Sequence, residues 1–390
     1  MSDRDHAIDL QSDVARNRYD RMEWAGAFGD LGTLIPFAAA YVVLLGLDPY
    51  GMLLAFGIAK IAAGLYYRTP FPVQPMKAIG AVATTQAAQT ITITPNAVYG
   101  AGIVTGIVWL LLGVTGAAKK LTDLVSRPVA VGIIMGLGFG FMLEGIRMMS
   151  GNWWLGGVAL IVTLLLLGNR TFPAMFLLLI GGALIALLQD SALLGTLAGI
   201  RAEFRLPSYA LGGMTWRELA VGALFLALPQ FPLTLGNAVL AITEENNRLF
   251  PDRPVTERKV AVSTGLMNLI GPCIGAIPMC HGAGGMAGHV RFGARTGGSL
   301  VILGVLVLIL ALFFSSSVAI LFGIFPAPML GVILFLTGAQ LALGSCDFGK
   351  GKNARFVSLV TAACAIWNIG LAFVFGIALH HLLERGWIRL

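Results

Sequence analysis

Charge is what this chain has least of. Asp, Glu, Lys and Arg together make 12% of its 390 residues, about half the share usual in soluble domains. Hydrophobic residues make 57% and the mean hydropathy is +0.83, which excludes a water-soluble globular fold. Alternating polar and apolar decamers are also missing, which excludes an outer-membrane β-barrel. The four cysteines, Cys273, Cys280, Cys346 and Cys364, form no C-x-x-C pair and lie in or beside apolar segments, so a disulfide framework is excluded. Cys280-His281 stands without further ligands, and neither a metal site nor a cofactor is expected. No Walker loop occurs, so ATP does not drive the protein directly. The formal charge of +7 is scattered over short loops and forms no patch, which argues against nucleic acid as a partner.

Apolar runs of about 20 residues recur from Trp24 to His381, each long enough to cross a bilayer. With 50 Gly and 22 Phe, the composition suits packed helices with small residues at their contacts. The expected class is an all-α polytopic membrane protein with fourteen spans, twelve being the fallback. Candidate spans near the end include 297–315, 316–326 and 328–345, and the stretch 312–344 is open between one long span plus a short one, and two spans. If the tail Met1–Arg21 is cytoplasmic, the loops holding Arg68, Lys119, Lys120, Arg127, Arg170, Arg248, Arg253, Lys350 and Lys352 fall inside as well. Only Arg147, Arg201, Arg205 and Arg217 fall outside. That bias predicts a multi-pass protein of the cytoplasmic membrane with both termini inside.

Two segments break the pattern of plain spans. "RTPFPVQPMKAIGAVATTQ" places Pro70, Pro72 and Pro75 before a short helical run, and "NLIGPCIGAIPMCHGAGGMAGHVRFGARTGG" does the same with Pro272, Pro278 and a glycine series. Each predicts an extended lead-in and a half-length helix. Paired interruptions in two halves point to a transporter site, and an odd number of spans per half makes the halves inverted.

At these residues the sequence becomes recognisable. "GAFGDLGTLIPF", "PFPVQPMKAIGA" and "PMCHGAGGMAGHVRFGARTGG" resemble the signature blocks of the molybdate transporter family, a branch of the sulfate permease superfamily. The resemblance implies the 7+7 inverted-repeat fold of sulfate permeases and the uracil permease. Carried over by position, it implies a tail at 1–21, a core domain at 22–117 and 217–315, a gate domain at 118–200 and 316–390, and an amphipathic linker at 201–216. The implied function is secondary transport of a tetrahedral oxyanion by elevator-like alternating access, with no catalytic step. Molybdate is the first choice, with sulfate or tungstate next. An anion channel and a nucleobase permease are the rivals; the latter would want a carboxylate at each half-helix, which "VQPMKA" and "MCHGAGG" do not supply. Protons are the preferred coupling partner, and a homodimer is left open.

The anion site is expected between the facing N-termini of the two half-helices, where unpaired N–H groups and about half a positive charge each make an oxyanion pocket. Gln74 offers its amide at the helix entry, flanked by Met76 and Ala78. Lys77 either balances a dianion or snorkels to the cytoplasmic interface. Gln86 reads as interhelical glue. In the second half, Gly282, Ala283 and Gly284 let backbone approach an oxygen and also permit tight packing. His281 donates a hydrogen bond, takes a proton, or is satisfied by a carbonyl. Gln230, Thr234 and Asn237 are neutral groups suited to hydrogen-bonding an oxyanion. Asp30 is costly in hydrocarbon and is placed beside the site, as a proton-coupling group or a partner of Lys77. Glu244 and Glu245 are proton carriers or solvated acids, and Glu144 with Arg147 reads as a local helix pair.

Overall fold

Prolines and small polar residues punctuate the apolar runs. Asp48 accepts a hydrogen bond from the Tyr50 N–H and Pro49 takes the first helical position, so one helix starts there; it stops at Arg68, whose φ is 55°. Thr94 and Pro95 repeat the device for another. A computed structural model describes residues 16–77, 79–80, 93–123, 125–167, 169, 171–189, 191–344 and 351–388.

The first half runs α1 (Arg21–Ala27), a tight 3-10 turn at Phe28–Asp30, α2 (Leu31–Leu45), α3 (Pro49–Tyr67) and the two-residue strand β1 (Gln74–Pro75). It continues with α4 (Pro95–Val114), α5 (Ala117–Asp123), α6 (Arg127–Ser150), α7 (Trp153–Leu166), α8 (Ala174–Phe176), a π turn at Leu177–Gly181, α9 (Gly182–Gln189) and α10 (Ser191–Ala198). The second half opens with one rod made of α11 (Trp216–Val221), α12 (Leu228–Leu233) and α13 (Ile242–Leu249), bridged by π-helical stretches at Gly222–Ala227 and Thr234–Ala241. Then come α14 (Glu257–Ile270), strand β2 (Met279–Cys280), α15 (Ala283–Arg291), α16 (Gly298–Phe314), α17 (Val318–Gly323), α18 (Ala327–Gly344), α19 (Lys352–Trp367) and α20 (Ile369–Glu384). The short helix at 318–323 continues α16 through a turn at Ser315–Ser317, so 316–326 is no span of its own, whereas 327–344 and 352–367 are two helices.

Four described helices are long and apolar enough to cross a bilayer: Pro49–Tyr67, Pro95–Val114, Arg127–Ser150 and the rod Gly298–Phe322. Ala174–Gln189 with Ala192–Ala198 makes a fifth if that bent pair is one span. The protein is therefore a membrane protein. Of the two half-length helices the sequence predicts, the first lies outside the described residues beyond Gly80; the second is α15, whose nine residues reach about 14 Å, less than half the hydrocarbon thickness of about 30 Å.

The packing exchanges the halves. In the first half α3 lies on α16 of the second, and α4 lies on α14; swapping halves turns one pair into the other, while β1 meets β2 and α6 meets α18. Without a hydrophobic drive between helices in lipid, these contacts need close backbone approach. Gly57 and Gly64 of α3 face Gly304 and Gly297, and Gly138 and Gly145 of α6 face Gly338 and Gly331. Residues 201–210 hold no helix: Glu203 N–H bonds to Phe313 C=O at 2.9 Å and Arg205 N–H to Leu312 C=O at 3.1 Å. Glu144 and Arg147 pair at 3.2 Å, as their spacing predicts.

A Cβ on Gly138 would fall 2.7 Å from the Gly338 carbonyl oxygen, while one on Gly140 meets nothing within 4 Å. Gly138→Val is expected to lower the melting temperature of the detergent-purified protein by several degrees through overpacking, and Gly140→Ala to leave it unchanged. Equal melting temperatures would show that the α6–α18 seam is not close-packed.

Candidate functional site

The two proline-bearing lead-ins pair with each other. β1 and β2 are antiparallel, with Gln74 opposite Cys280 and Pro75 opposite Met279, and Met76 N–H donates to Pro278 C=O at 2.9 Å. Buried side chains satisfy and pin the rest of this backbone. Asn268 brackets Met279, donating to its carbonyl at 2.5 Å and accepting from its N–H at 2.9 Å. Lys60 donates to Val73 C=O at 2.7 Å. The Pro72 carbonyl can only accept, so the neutral His281 ring donates to it from Nδ1 at 2.8 Å. Nε2 then accepts from the Ser263 hydroxyl at 2.7 Å, which in turn accepts from the Tyr67 hydroxyl at 2.7 Å.

Both chains turn helical on leaving this ladder. Gly80 N–H bonds to Met76 C=O at 3.0 Å, closing the first turn after Met76. α15 begins after Gly282, an N-cap that supplies no side-chain hydrogen bond, whereas Asp48, Thr94, Thr215 and Thr256 cap their helices. The opening N–H groups of a helix have no acceptor within it, so α15 presents them to whatever lies in front.

What lies in front is a cluster of buried polar groups. Gln74 lies flat on α15: a Cβ at Gly285 would fall 2.8 Å from Gln74 Nε2, and one at Gly282 would collide with Gln74 Oε1. Gln74 Nε2 donates to Asp30 Oδ1, and to Thr33 Oγ1 at 2.9 Å; Thr33 also donates to Asp30. The Lys60 ammonium stands 3.5 Å from Asp30 Oδ2, with both side chains 0% exposed. On the far side, Asn237 Nδ2 lies 3.6 Å from where a Gly282 Cβ would stand. Gln230 accepts from Ile79 N–H at 3.3 Å and donates to Thr234 at 2.9 Å, tying the rod of the second half to the helix start of the first. Lys77 Nζ sits 3.9 Å from the centroid of the Phe141 ring of α6. Gln74 Oε1, Lys77 Nζ and Asn237 Oδ1 are buried without a hydrogen-bond partner. Asp30 and Lys60 cancel, leaving Lys77 as the surplus charge in this cluster.

The structure thus brings Gln74, Met76, Lys77, Gln230, Thr234, Asn237, Gly282, Ala283 and Gly284 together, with Asp30 beside them. Lys77 does not snorkel, since its ammonium is buried. Asp30 is paired with Lys60, not with Lys77. His281 is not available as a ligand, because both ring nitrogens hold protein partners behind the strands. Glu245 pairs with Arg248 at 2.8 Å and Glu244 is exposed on the same helix, so neither reaches the cluster. Ala78, Gln86 and Cys346 lie outside the described residues. Sequence reasoning missed Lys60, Thr33, Asn268 and Phe141. Lys60 had a signal, a lone cation inside the apolar run "GMLLAFGIAKIAAGLYY", where ionisable residues are functional by default.

The chain matches the family model described as "Molybdate transporter of MFS superfamily" over residues 22–143 and 222–341, more than half of its length. The chain belongs to the molybdate transporter family. Molybdate transporter 2 of Arabidopsis thaliana is 32% identical over 93% of this chain and 87% of its own. Two solved structures share the fold. The transmembrane domain of the cyanobacterial bicarbonate transporter BicA superposes with a TM-score of 0.55 at 15% identity, covering 94% of this chain and 98% of that one. The murine Slc26a9 anion transporter in the inward-facing state gives 0.60 at 12% identity, covering 96% of this chain and 70% of that one. Both have the 7+7 inverted repeat, so this member of the molybdate transporter family has that fold.

The Asp30–Lys60 pair generates a stability prediction. Lys60→Met strands a buried carboxylate and is expected to cost about 3–5 kcal/mol, read as lost thermal stability in detergent, and Lys60→Met with Asp30→Asn should recover most of it. A single variant as stable as the double would mean that the pair is not formed.

Proposed function

We propose that the protein is a secondary transporter carrying a tetrahedral oxyanion, molybdate first, across the cytoplasmic membrane with both termini inside. The observation that supports this most is the buried, hydrogen-bond-free Lys77 ammonium beside the uncapped start of α15. Lys77 contributes one positive charge, and two helix starts contribute about half a charge each, which together match a dianion. Backbone N–H groups at Gly282–Gly284 and the amide of Asn237 supply donors of the neutral kind that a fully ionised oxyanion needs. Family membership and the molybdate relatives favour the same cargo.

Asp30 supplies the coupling. Its carboxylate accepts from the Gln74 amide and from the Thr33 hydroxyl, which itself accepts from that amide, so the amide is held on the Asp30 side. Taking up a proton weakens that hold and the attraction to Lys60, and frees the Gln74 amide to donate to an oxyanion. Residues 22–117 and 217–315 act as the moving core and 118–200 and 316–390 as the gate, giving alternating access.

Liposome uptake of molybdate, with tungstate, sulfate and uracil alongside, is the test. Gln74→Ala and Lys77→Ala are each expected to cut molybdate uptake at least about tenfold, the size of one lost charge-assisted hydrogen bond; undiminished uptake in both would misplace the site. Uptake faster for sulfate than for molybdate would reassign the cargo. Acid outside pH should accelerate uptake in the wild type and not in Asp30→Asn, and an unchanged acid response in that variant removes Asp30 from coupling.

A further inference from the structure

An aromatic ring at the proposed pocket comes from outside both half-helices. Phe141 belongs to α6, and its side chain is 8% exposed. One face lies under Lys77 Nζ at 3.9 Å. Its edge lies against Gly284, where an added Cβ would collide with the ring's Cε2. Phe141 therefore fills the space between the Lys77 ammonium and the start of α15, the two features that would hold an anion. A ring face gives a buried ammonium a substitute for a counter-ion, and here it is the partner that Lys77 has.

Phe141 is also fixed to its own helix pair. A Cβ on Gly338 would fall 2.9 Å from Phe141 Cβ, and Gly138 and Gly145 on either side of the ring lock α6 to α18. The ring is carried by that pair as a unit, while Lys77 and Gly284 are carried by the β1–β2 ladder. Separating the two bodies opens the pocket; bringing them together closes it on the ring.

Resting on the oxyanion reading above, we propose that Phe141 is the stopper of the anion pocket. In the closed arrangement its ring occupies the anion's place and holds Lys77 by cation–π attraction, and an oxyanion binds only by displacing it. The ring and the anion compete for one ammonium. Any side chain larger than hydrogen at Gly284 would jam the closed arrangement against the ring.

The test is the dissociation constant for molybdate of the purified protein. Phe141→Leu keeps most of the volume and removes the π face, and Phe141→Ala removes both. Phe141→Leu is expected to bind molybdate about thirtyfold tighter than wild type, the size of a desolvated cation–π contact, and Phe141→Ala at least as tightly. Unchanged or weaker binding in Phe141→Leu overturns the proposal and makes the ring a wall or a scaffold. A second readout does not depend on molybdate binding and is taken on variants whose melting temperature matches the wild type. Cys280, paired across the ladder from Gln74 and buried, reports access to the pocket in a chain whose other cysteines are serine. Its alkylation by a water-soluble thiol reagent should be faster in Phe141→Leu than with the ring present, and equal rates overturn the proposal. The two readings fail separately. Wild-type binding in Gln74→Ala and Lys77→Ala sinks the site, whereas loss of binding in those variants with no gain in Phe141→Leu sinks the stopper alone.

Discussion

Two stretches of non-helical backbone, each stiffened by proline, meet in the interior of a protein that lives in hydrocarbon. Exposed peptide groups there are too costly to leave unpaired. The pairing of Gln74–Pro75 with Met279–Cys280 is the solution, and most of the remaining arrangement follows from it. Because the strands are antiparallel, the chains leave in opposite directions, and each becomes helical beside the other's lead-in. Helix starts are thereby brought near one another without any dedicated cage. Of the side chains that complete the backbone pairing, Asn268 and Lys60 come from long helices that pack on glycine seams and His281 from the lead-in itself, so ladder and scaffold hold each other.

Charge follows the same economy. Asp30 sits in the 3-10 turn between α1 and α2, where it can reach Gln74, Thr33 and Lys60 at once. A lone carboxylate at that depth would repel an anion and destabilise the fold. Paired with Lys60, it instead orders the amide nearest the pocket. Lys77 is left with an aromatic face in place of a carboxylate.

Much of this was legible in the amino-acid sequence, for definite reasons. Proline cannot continue a helix and glycine can start one without a side chain, so "PFPVQPMK" and "PMCHGAGG" announced the broken segments, and Gln74, Lys77 and Gly282–Gly284 followed as their first residues. The rod at 216–249 was visible through its neutral polar residues. The reach of Lys60 into the site was not visible, because it depends on how α3 turns about its own axis once Gly57 and Gly64 meet α16. Phe141 was hidden for a related reason: nothing in "GLGFGFMLEG" separates a phenylalanine facing lipid from one facing the pocket, and only the crossing of α6 with α18 decides it. His281 was open in the sequence between a ligand and a histidine satisfied by a carbonyl, and the Pro72 carbonyl within its reach selects the second.

The wide turns at Thr234–Ala241 have a consequence for what lengths of chain this protein can accept. A π-helical stretch holds a residue more per turn than the ordinary helix, and it is spread here over the eight residues that include Asn237. Deleting one residue from it and letting the rod relax to the common pitch removes that surplus, so the helix before the wide turn and the helix after it keep nearly the same mutual rotation. Deleting one residue from the α-helical stretch at Leu228–Leu233 has no surplus to absorb it and would rotate what precedes it by about 100°. Single-residue deletions should therefore be tolerated better at 234–241 than at 228–233.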